Sequence, residues 1–526
     1  MALPRIKYPV GIQTFPEIIK EKYFYEDKTG LIYELVNTSK YVFLSRPRRF
    51  GKSLLMSTIE AYFRGEQTLF QGLEMEKMEE KWESFPVFRF DLSASNYDDP
   101  TKLALKINMF LSRWEKEYDI MPAGGISERF SNLLYYVARK TGKRSVILID
   151  EYDKPLLDCI TDVDIQEKTK GELRGFYSVI KENDAFIRFA MLTGVTKFGK
   201  VSVFSGLNNM TDISLQPKYN AICGFTESEF TEDFKDSIKE FSLSNEISED
   251  EVRTLFKKKY DGYRFANRGE DIYNPYSVLR AFDEKETKDF WFSSGSSSHL
   301  INLLKTTSLP LNDLEGAERS ERALSDITSL ENDSVPLLYQ AGYLTIKGYS
   351  DEDGSYVLGF PNEEVRHAFW ESLAGYFFTL KDASLEFNQF GFITAVNQGN
   401  PELFMRKLRG LFADTSATTE RNKELHFQNV VAIVFKMLGF RVHTEVESSH
   451  GRCDMQLLTS SYVYIFEFKL DGSARKALDQ IKDRGYAEPY CADNRTVYLI
   501  GANFSSRENT LTEWIIEPYN PSAHPQ

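Results

Sequence analysis

The chain has 526 residues, of which 42% are hydrophobic and 27% charged, and a formal net charge of −14. That length exceeds what one hydrophobic core supports and predicts about three or four domains. The acidic balance excludes nucleic-acid binding by the surface as a whole, so any such contact must use a local basic patch or metal ions.

Cys159, Cys223, Cys453 and Cys491 lie far apart with no C-x-x-C pair. They read as buried or incidental thiols in a reducing compartment, with neither a zinc site nor a disulfide framework implied. The opening residues Met1 to Tyr8 carry no apolar signal core. No apolar run approaches the roughly 18 residues of a membrane span, so a cytoplasmic protein without a membrane partner is expected. Aromatics at 14% imply well-filled cores or exposed platforms.

Residues 12–34 read as a leader with one or two helices, and 41–44 as a strand. A basic turn follows, Ser45-Arg46-Pro47-Arg48-Arg49-Phe50-Gly51-Lys52-Ser53, and then a helix over 54–63. Strand, turn and helix in this order suit a phosphate-binding loop. Backbone amides at the helix start face an anion, Lys52 reaches the outer phosphates, and the Ser53 hydroxyl ligates Mg²⁺. Arg46 stands where the general pattern has Gly.

Strands are predicted at 85–91, 145–150 and 186–193, with helices at 102–118, 127–140 and 171–183 between them. Their alternation predicts an α/β three-layer sandwich, a P-loop NTPase architecture spanning 1–215. The run Ser145-Val-Ile-Leu-Ile-Asp150-Glu151 suits a buried parallel strand with its acids at the ligand-binding edge. Asp150 is expected to share the metal with Ser53, and Glu151 to orient or polarise the attacking water. Thr193 is placed to sense the γ-phosphate. Arg48 and Arg49 either grip phosphates within the chain or reach a neighbour's nucleotide as an arginine finger.

Residues 216–330 read as a charged helical lid. Over 331–382, helix, strand, turn, strand and helix predict a winged-helix-like module. Its candidate recognition helix, 335–343, has no Lys or Arg, which favours a structural role over base readout. Basic patches at Lys257-Lys258-Lys259 with Arg264 and Arg268, and at Arg406-Lys407-Leu408-Arg409, read as solvated helix faces.

The last domain, 383–520, is predicted as a second α/β fold, restriction-endonuclease-like. A helix at 424–438 is followed by strands at 441–446, 454–458 and 462–470. A helix over 473–486 and a strand at 496–501 complete it. Period-two alternation sends Glu467 and Lys469 to one face of their strand, a costly pair on an apolar face unless a cation joins them. Asp454 and Glu467 are candidate Mg²⁺ ligands, and Glu424 is a further carboxylate. Lys469 would hold or deprotonate the attacking water, and Gln480 would position that water or Lys469. His450 reads as a turn residue.

The two constellations together resemble bacterial two-part proteins with an AAA-ATPase-like N-terminal region and a C-terminal PD-(D/E)XK nuclease-like domain. The resemblance is carried by Gly11-Ile12-Gln13, Tyr25-Glu26-Asp27-Lys28-Thr29, Ser45 to Ser53 and Ile149-Asp-Glu-Tyr-Asp-Lys-Pro155. It extends to Phe204-Ser-Gly-Leu-Asn-Asn209, Tyr260-Asp-Gly-Tyr263, Gly451-Arg-Cys-Asp454 and Phe466-Glu-Phe-Lys469. It implies ATP at Lys52, Ser53 and Asp150, and Mg²⁺-dependent nuclease chemistry at Asp454, Glu467 and Lys469. One departure is the spacing from Gln480 to Tyr486, wider than the Gln-x-x-x-Tyr of some related nucleases. The expected function is an ATP-regulated nuclease, with DNA favoured as substrate, a homo-oligomeric state, and a place in defence or mobile-element biology by analogy. The alternatives are an ATP-dependent switch or scaffold with a non-cleaving nuclease fold, and an ATPase that remodels proteins.

Overall fold

The computed structural model describes residues 6–159, 162–197, 209–293, 314–324, 333–377, 389–413, 423–448 and 451–520. The chain divides into two compact units, Met1–Leu309 with Leu314–Val365, and Pro310–Asp313 with Arg366–Gln526.

The first unit is organised on a parallel sheet of five strands, β1 (Tyr41–Ser45), β2 (Val87–Asp91), β3 (Ser145–Asp150), β4 (Ile187–Gly194) and β5 (Thr211–Asp212), in the order β2-β3-β4-β1-β5. Parallel pairing requires crossover helices, which cover both faces and make the strands apolar throughout. Every residue of β1 and of β3 is accordingly buried. One face, with Phe43, Phe88, Phe90, Ile147, Ile149 and Leu192, packs on helices Pro100–Glu117, Ile126–Thr141 and Val163–Glu182. On the other face Phe189 meets Phe63 of helix Lys52–Phe63, ring centroids 5.4 Å apart. The register aligns the strand ends, Ser45 beside Gly194 and Asp91 beside Asp150, so their following loops share one edge.

Beyond this sheet, helices Glu227–Glu232, Lys235–Asn245, Glu249–Tyr260 and Pro275–Glu284 enclose a largely aromatic core. Phe230 stacks on Tyr273 and Phe256 on Phe282, each at 4.6 Å. Much of the high aromatic content therefore fills cores. Two of these helices begin in reciprocal capping boxes, Thr226 with Glu229 and Ser248 with Glu251.

A small antiparallel sheet follows, β6 (Ala317–Ser320), β7 (Thr345–Ser350) and β8 (Ser355–Gly359), ordered β6-β8-β7. Helices Val335–Ala341 and Glu363–Phe377 flank its hairpin. β6 was not legible in the sequence. Val335, Pro336, Leu337, Leu338 and Gln340 are all buried, so this helix is a packing element.

The second unit carries a mixed sheet of β9 (Arg441–Ser448), β10 (Gly451–Leu458), β11 (Tyr462–Leu470), β12 (Thr496–Ser505) and β13 (Thr510–Pro518), ordered β13-β12-β11-β10-β9. Only the β11–β12 pair is parallel. Val463 and Ile465 pack with Leu478 and Ile481 of helix Ala474–Asp483. Tyr464 and Phe466 meet Phe404 and Phe435 of helices Pro401–Ala413 and Lys423–Met437. Arg406 to Arg409 do lie on a helix, Pro401–Ala413, whose ends the sequence left open, while helix Gln389–Asn397 and strand β13 went unread and β12 runs four residues beyond its predicted end.

Two candidate functional sites

In the first unit the turn after β1 closes with two residues in the left-handed region, Arg49 (φ 68°) and Gly51 (φ 89°). Gly51 caps the helix that begins at Lys52. Lys52 Nζ donates to the carbonyls of Arg46 (3.1 Å) and Pro47 (3.2 Å) and stands 3.6 Å from Glu151 Oε1. Glu151 itself holds a positive φ of 53°, a conformation that costs a non-glycine residue and clusters at functional sites. Burial pushes its carboxyl pKa up, and Lys52 opposes that shift.

Asp150 is buried, with Oδ1 accepting from Thr193 Oγ1 at 2.8 Å and Oδ2 3.4 Å from Arg89. The same guanidinium reaches the Ser53 carbonyl at 3.4 Å and Glu60 at 3.3 Å. Lys52 thus stands beside Glu151, and Arg89 links Asp150 to the backbone of Ser53. Thr193 is the correction. Its hydroxyl is committed to Asp150 and it is fully buried, so it positions that carboxylate and does not face a phosphate.

Arg46 explains its own departure from the general pattern. It is 1% exposed, and it donates to the carbonyls of Ser45, Ser214 (2.8 Å) and Tyr219 (3.0 Å). Its guanidinium also lies over the Phe265 ring at 4.1 Å. It is a buried strut pointing away from the loop. Arg49 lies over the ring of Tyr276 at 4.8 Å, and the Arg48 carbonyl accepts from Trp291 Nε1 at 3.0 Å.

Several supports went unrecognised in the sequence. Asp153 Oδ2 accepts from the amides of Val195 and Thr196 and from the Thr196 hydroxyl, fixing the turn after β4. Tyr152 donates to the Thr196 carbonyl at 2.7 Å. Arg89 and Trp291 carried no sequence signal, because their partners are distant in the chain.

A cavity of about 440 Å³ opens beside the loop, with Arg48, Gly51, Lys52, Ser53 and Glu151 in its wall. Gly11-Ile12-Gln13 and Tyr25, Glu26 and Lys28 line it as well, which gives both N-terminal motifs a location. Ser53 lines this cavity, whereas Asp150, 1% exposed with its oxygens held by Thr193 and Arg89, stands behind its wall.

In the second unit the β10–β11 ladder is paired as far as Met455–Phe466, and the Phe468 amide is then taken by Asp454 Oδ2 at 2.7 Å. Glu467 is 2% exposed, and its Oε1 lies 3.0 Å from Lys469 Nζ. Its Oε2 is enclosed and has no hydrogen-bond partner among the described residues. Burial, reinforced by the Asp454 charge, pushes the Glu467 carboxyl up to about 7.

Gly501 pairs with Glu467 across β11–β12. A Cβ there would lie 2.4 Å from the Ala474 carbonyl and 2.5 Å from the Leu478 amide, so the glycine admits helix Ala474–Asp483 close to the sheet. The helix ends three residues before its predicted end, and Gly485 (φ 59°) turns the chain back. Tyr486 thereby donates to the Arg452 carbonyl at 2.7 Å and is brought to the neighbourhood of Gln480. The wide Gln480–Tyr486 spacing is bridged by this return.

Asp454, Glu467 and Lys469 are thus brought together, with Gln480 and Tyr486 on the helix side. The enclosed Glu467 oxygen and the hard-oxygen donor set fit a Mg²⁺ ion. Among the described residues no three His, Cys, Asp or Glu side chains cluster as a metal site. A pair of carboxylates leaves positions for water and a substrate phosphate, which is how Mg²⁺ is commonly held. Glu424 lies on helix Lys423–Met437 with its side chain outside the described residues, as are His450 and residues 204–208.

Several residues of the basic patches carry an acid partner. Lys257, Lys258 and Lys259 pair with Glu227, Glu363 and Asp289, Arg264 with Asp271, and Arg406 with Glu402. No helix among the described residues is long and apolar enough to cross a membrane.

Comparison with known proteins gives three matches. Residues 9–204 match the family described as "Predicted AAA-ATPase", and residues 422–514 match the PD-(D/E)XK nuclease superfamily. A protein of Azotobacter chroococcum mcd 1, named for its position in the vnfD 5′ region, is 35% identical over 98% of this chain and 99% of its own length.

Proposed function

The chain belongs to the family of two-part proteins that join a predicted AAA-ATPase-like region to a PD-(D/E)XK nuclease-superfamily domain, and from that premise we propose that it is an ATP-regulated, Mg²⁺-dependent nuclease. The proposed substrate is DNA, the assembly a homo-oligomer and the compartment the cytoplasm, with a role in bacterial defence or mobile-element biology. In this reading residues 1–215 form the P-loop NTPase sandwich, 216–330 its lid and 331–382 a winged-helix-like module. Residues 383–520 form the restriction-endonuclease-like domain.

The observation that carries the reading is the Asp454–Glu467–Lys469 cluster, with a buried carboxylate oxygen left unpaired beside a lysine. Asp454 and Glu467 would hold Mg²⁺, which when bound supplies Lewis-acid stabilisation of charge on a phosphodiester. Lys469 holds the attacking water, and Gln480, beside Tyr486, orients it. At the other centre Lys52 and Ser53 would grip the nucleotide phosphates, Ser53 and Asp150 would be the oxygen ligands for Mg²⁺, and Glu151 would orient the water.

The deciding experiment incubates plasmid with the protein, Mg²⁺ and ATP, alongside Lys469→Ala and Lys52→Ala. Cleavage by the wild-type chain and loss in both variants is expected. Cleavage that survives Lys469→Ala would remove the assignment. Absence of cleavage on any nucleic acid, with an ATP-dependent change in assembly size, would replace the nuclease by a nucleotide-operated switch.

A further inference from the structure

We propose that Arg48 reads the terminal phosphate of a nucleoside triphosphate bound in its own protomer, and so sets a preference for triphosphate over diphosphate. This rests on the nucleotide reading of the cavity beside the loop. It adds the residue that selects the ligand by charge and the protomer that supplies it.

Five cationic residues line that cavity, Lys28, Arg48, Arg49, Lys52 and Lys154. Three of them are matched by acids. Lys28 is ion-paired with Glu229, Lys154 with Asp158 at 2.7 Å, and Lys52 stands 3.6 Å from Glu151. Arg49 has no such acid, but its guanidinium lies over the Tyr276 ring. Among the described residues Arg48 has neither an acid within ion-pair distance nor an aromatic face.

The wall holds no spare anion for it. Its two acids are Glu151, paired with Lys52, and Glu26. Burial, with Glu229 nearby, pushes Glu26 up to about 8, so that carboxyl is uncharged near neutral pH. A half-buried guanidinium without a partner is costly. Phosphate oxygens match its planar fork of donors.

The Arg48 carbonyl accepts from Trp291 Nε1 at 3.0 Å, which anchors this residue's backbone inside the fold. Its charge joins that of Lys52 in opposing the upward push that burial gives the Glu151 carboxyl, so Arg48 and Glu151 are electrostatic neighbours. Glu151 is the residue that the same reading gives to the attacking water, and that water meets the terminal phosphate. An arginine that acts on a neighbour's nucleotide has to project from its protomer. Arg48 is instead half-buried in the wall of its own cavity.

The test measures binding of ATP and of ADP, each with Mg²⁺, to the full chain by calorimetry. The wild-type protein should prefer ATP. Arg48→Gln should cut that preference by about tenfold, the fold-change of one charge-assisted hydrogen bond, and leave ADP affinity nearly unchanged. The retained ADP affinity also reports a folded variant. An unchanged ratio, or equal loss of both ligands, overturns the assignment. Repeating the titration of Arg48→Gln with an excess of Lys52→Ala, which carries an intact Arg48, separates own chain from neighbour. The reduced preference should persist, and its restoration would mean that the arginine comes from another protomer. A wild-type chain that binds ATP and ADP equally overturns this assignment alone, whereas one that binds neither overturns the nucleotide reading and this assignment with it.

Discussion

The indole Nε1 of Trp291 donates a 3.0 Å hydrogen bond to the carbonyl oxygen of Arg48. A residue of the short helix Phe290–Ser293 thus holds the middle of the loop after β1. Gly342 (φ 91°) reinforces the grip, because a Cβ there would lie 2.5 Å from Pro47 Cβ. Tyr263 donates to the Gly342 carbonyl at 3.0 Å and packs on Phe50 at 4.7 Å. The loop, the Tyr260-Asp-Gly-Tyr263 motif and the small sheet module are therefore one mechanical assembly.

Trp291→Phe should uncouple part of it. Loss of the donor and of part of the buried indole should lower stability by about 1–3 kcal/mol. It should also shrink the rise in melting temperature that ATP and Mg²⁺ give the wild-type protein. Differential scanning fluorimetry with and without nucleotide measures both effects.

Arg46→Gly restores the residue of the general phosphate-loop pattern and should nevertheless harm the protein. It removes a fully buried side chain and strands the carbonyls of Ser214 and Tyr219. A loss of ~3 kcal/mol is expected in urea unfolding. Unchanged stability with tighter nucleotide binding would mean that Arg46 is not a strut.

Glu364 sets a pH dependence. It is buried, accepts from Ser277 Oγ and the Trp291 amide, and burial pushes it up to about 8. Its folded pKa lies above the unfolded value, so between those values the native state binds more protons than the unfolded one. Stability from this group therefore falls as pH rises from about 4.5 toward 8. Glu364→Gln should flatten that decline, giving a variant more stable than wild type at pH 8 and nearer to it at pH 5, by melting temperature.

Lys469→Ala should reduce nucleic-acid cleavage by at least about 100-fold, the lower range for a proton-handling group. Gln480→Ala, acting on a positioned water, should cost less. Tyr486→Phe removes the hydroxyl that bonds the Arg452 carbonyl beside Gln480 and should resemble Gln480→Ala in the same plasmid assay.

Much of this was legible in one dimension where each signal was local. Buried parallel strands read as continuous apolar runs, so β1, β3 and β4 could be found, and the acids after β3 fell where an α/β sheet binds ligands. The Glu467–Lys469 pair followed from strand period alone. What stayed hidden was what depends on chain return. Arg89 reaches Asp150 only because β2 lies beside β3, and Tyr486 reaches Gln480 only because Gly485 reverses the chain. Thr193 was placed at the correct strand end, but its side-chain direction depends on Asp150 beside it. β13 and helix Gln389–Asn397 carry no chemical motif, so nothing marked them.

The three consecutive lysines of helix Glu249–Tyr260 each reach an acid from a different part of the chain, Glu227, Glu363 and Asp289. A cation already matched by a protein anion displaces few counterions from a polyanion. The electrostatic slope of log affinity against log salt for any bound nucleic acid should therefore be nearly the same after all three are changed to glutamine. Such a triple substitution should instead be felt at home, as repulsion among the acids it leaves uncompensated.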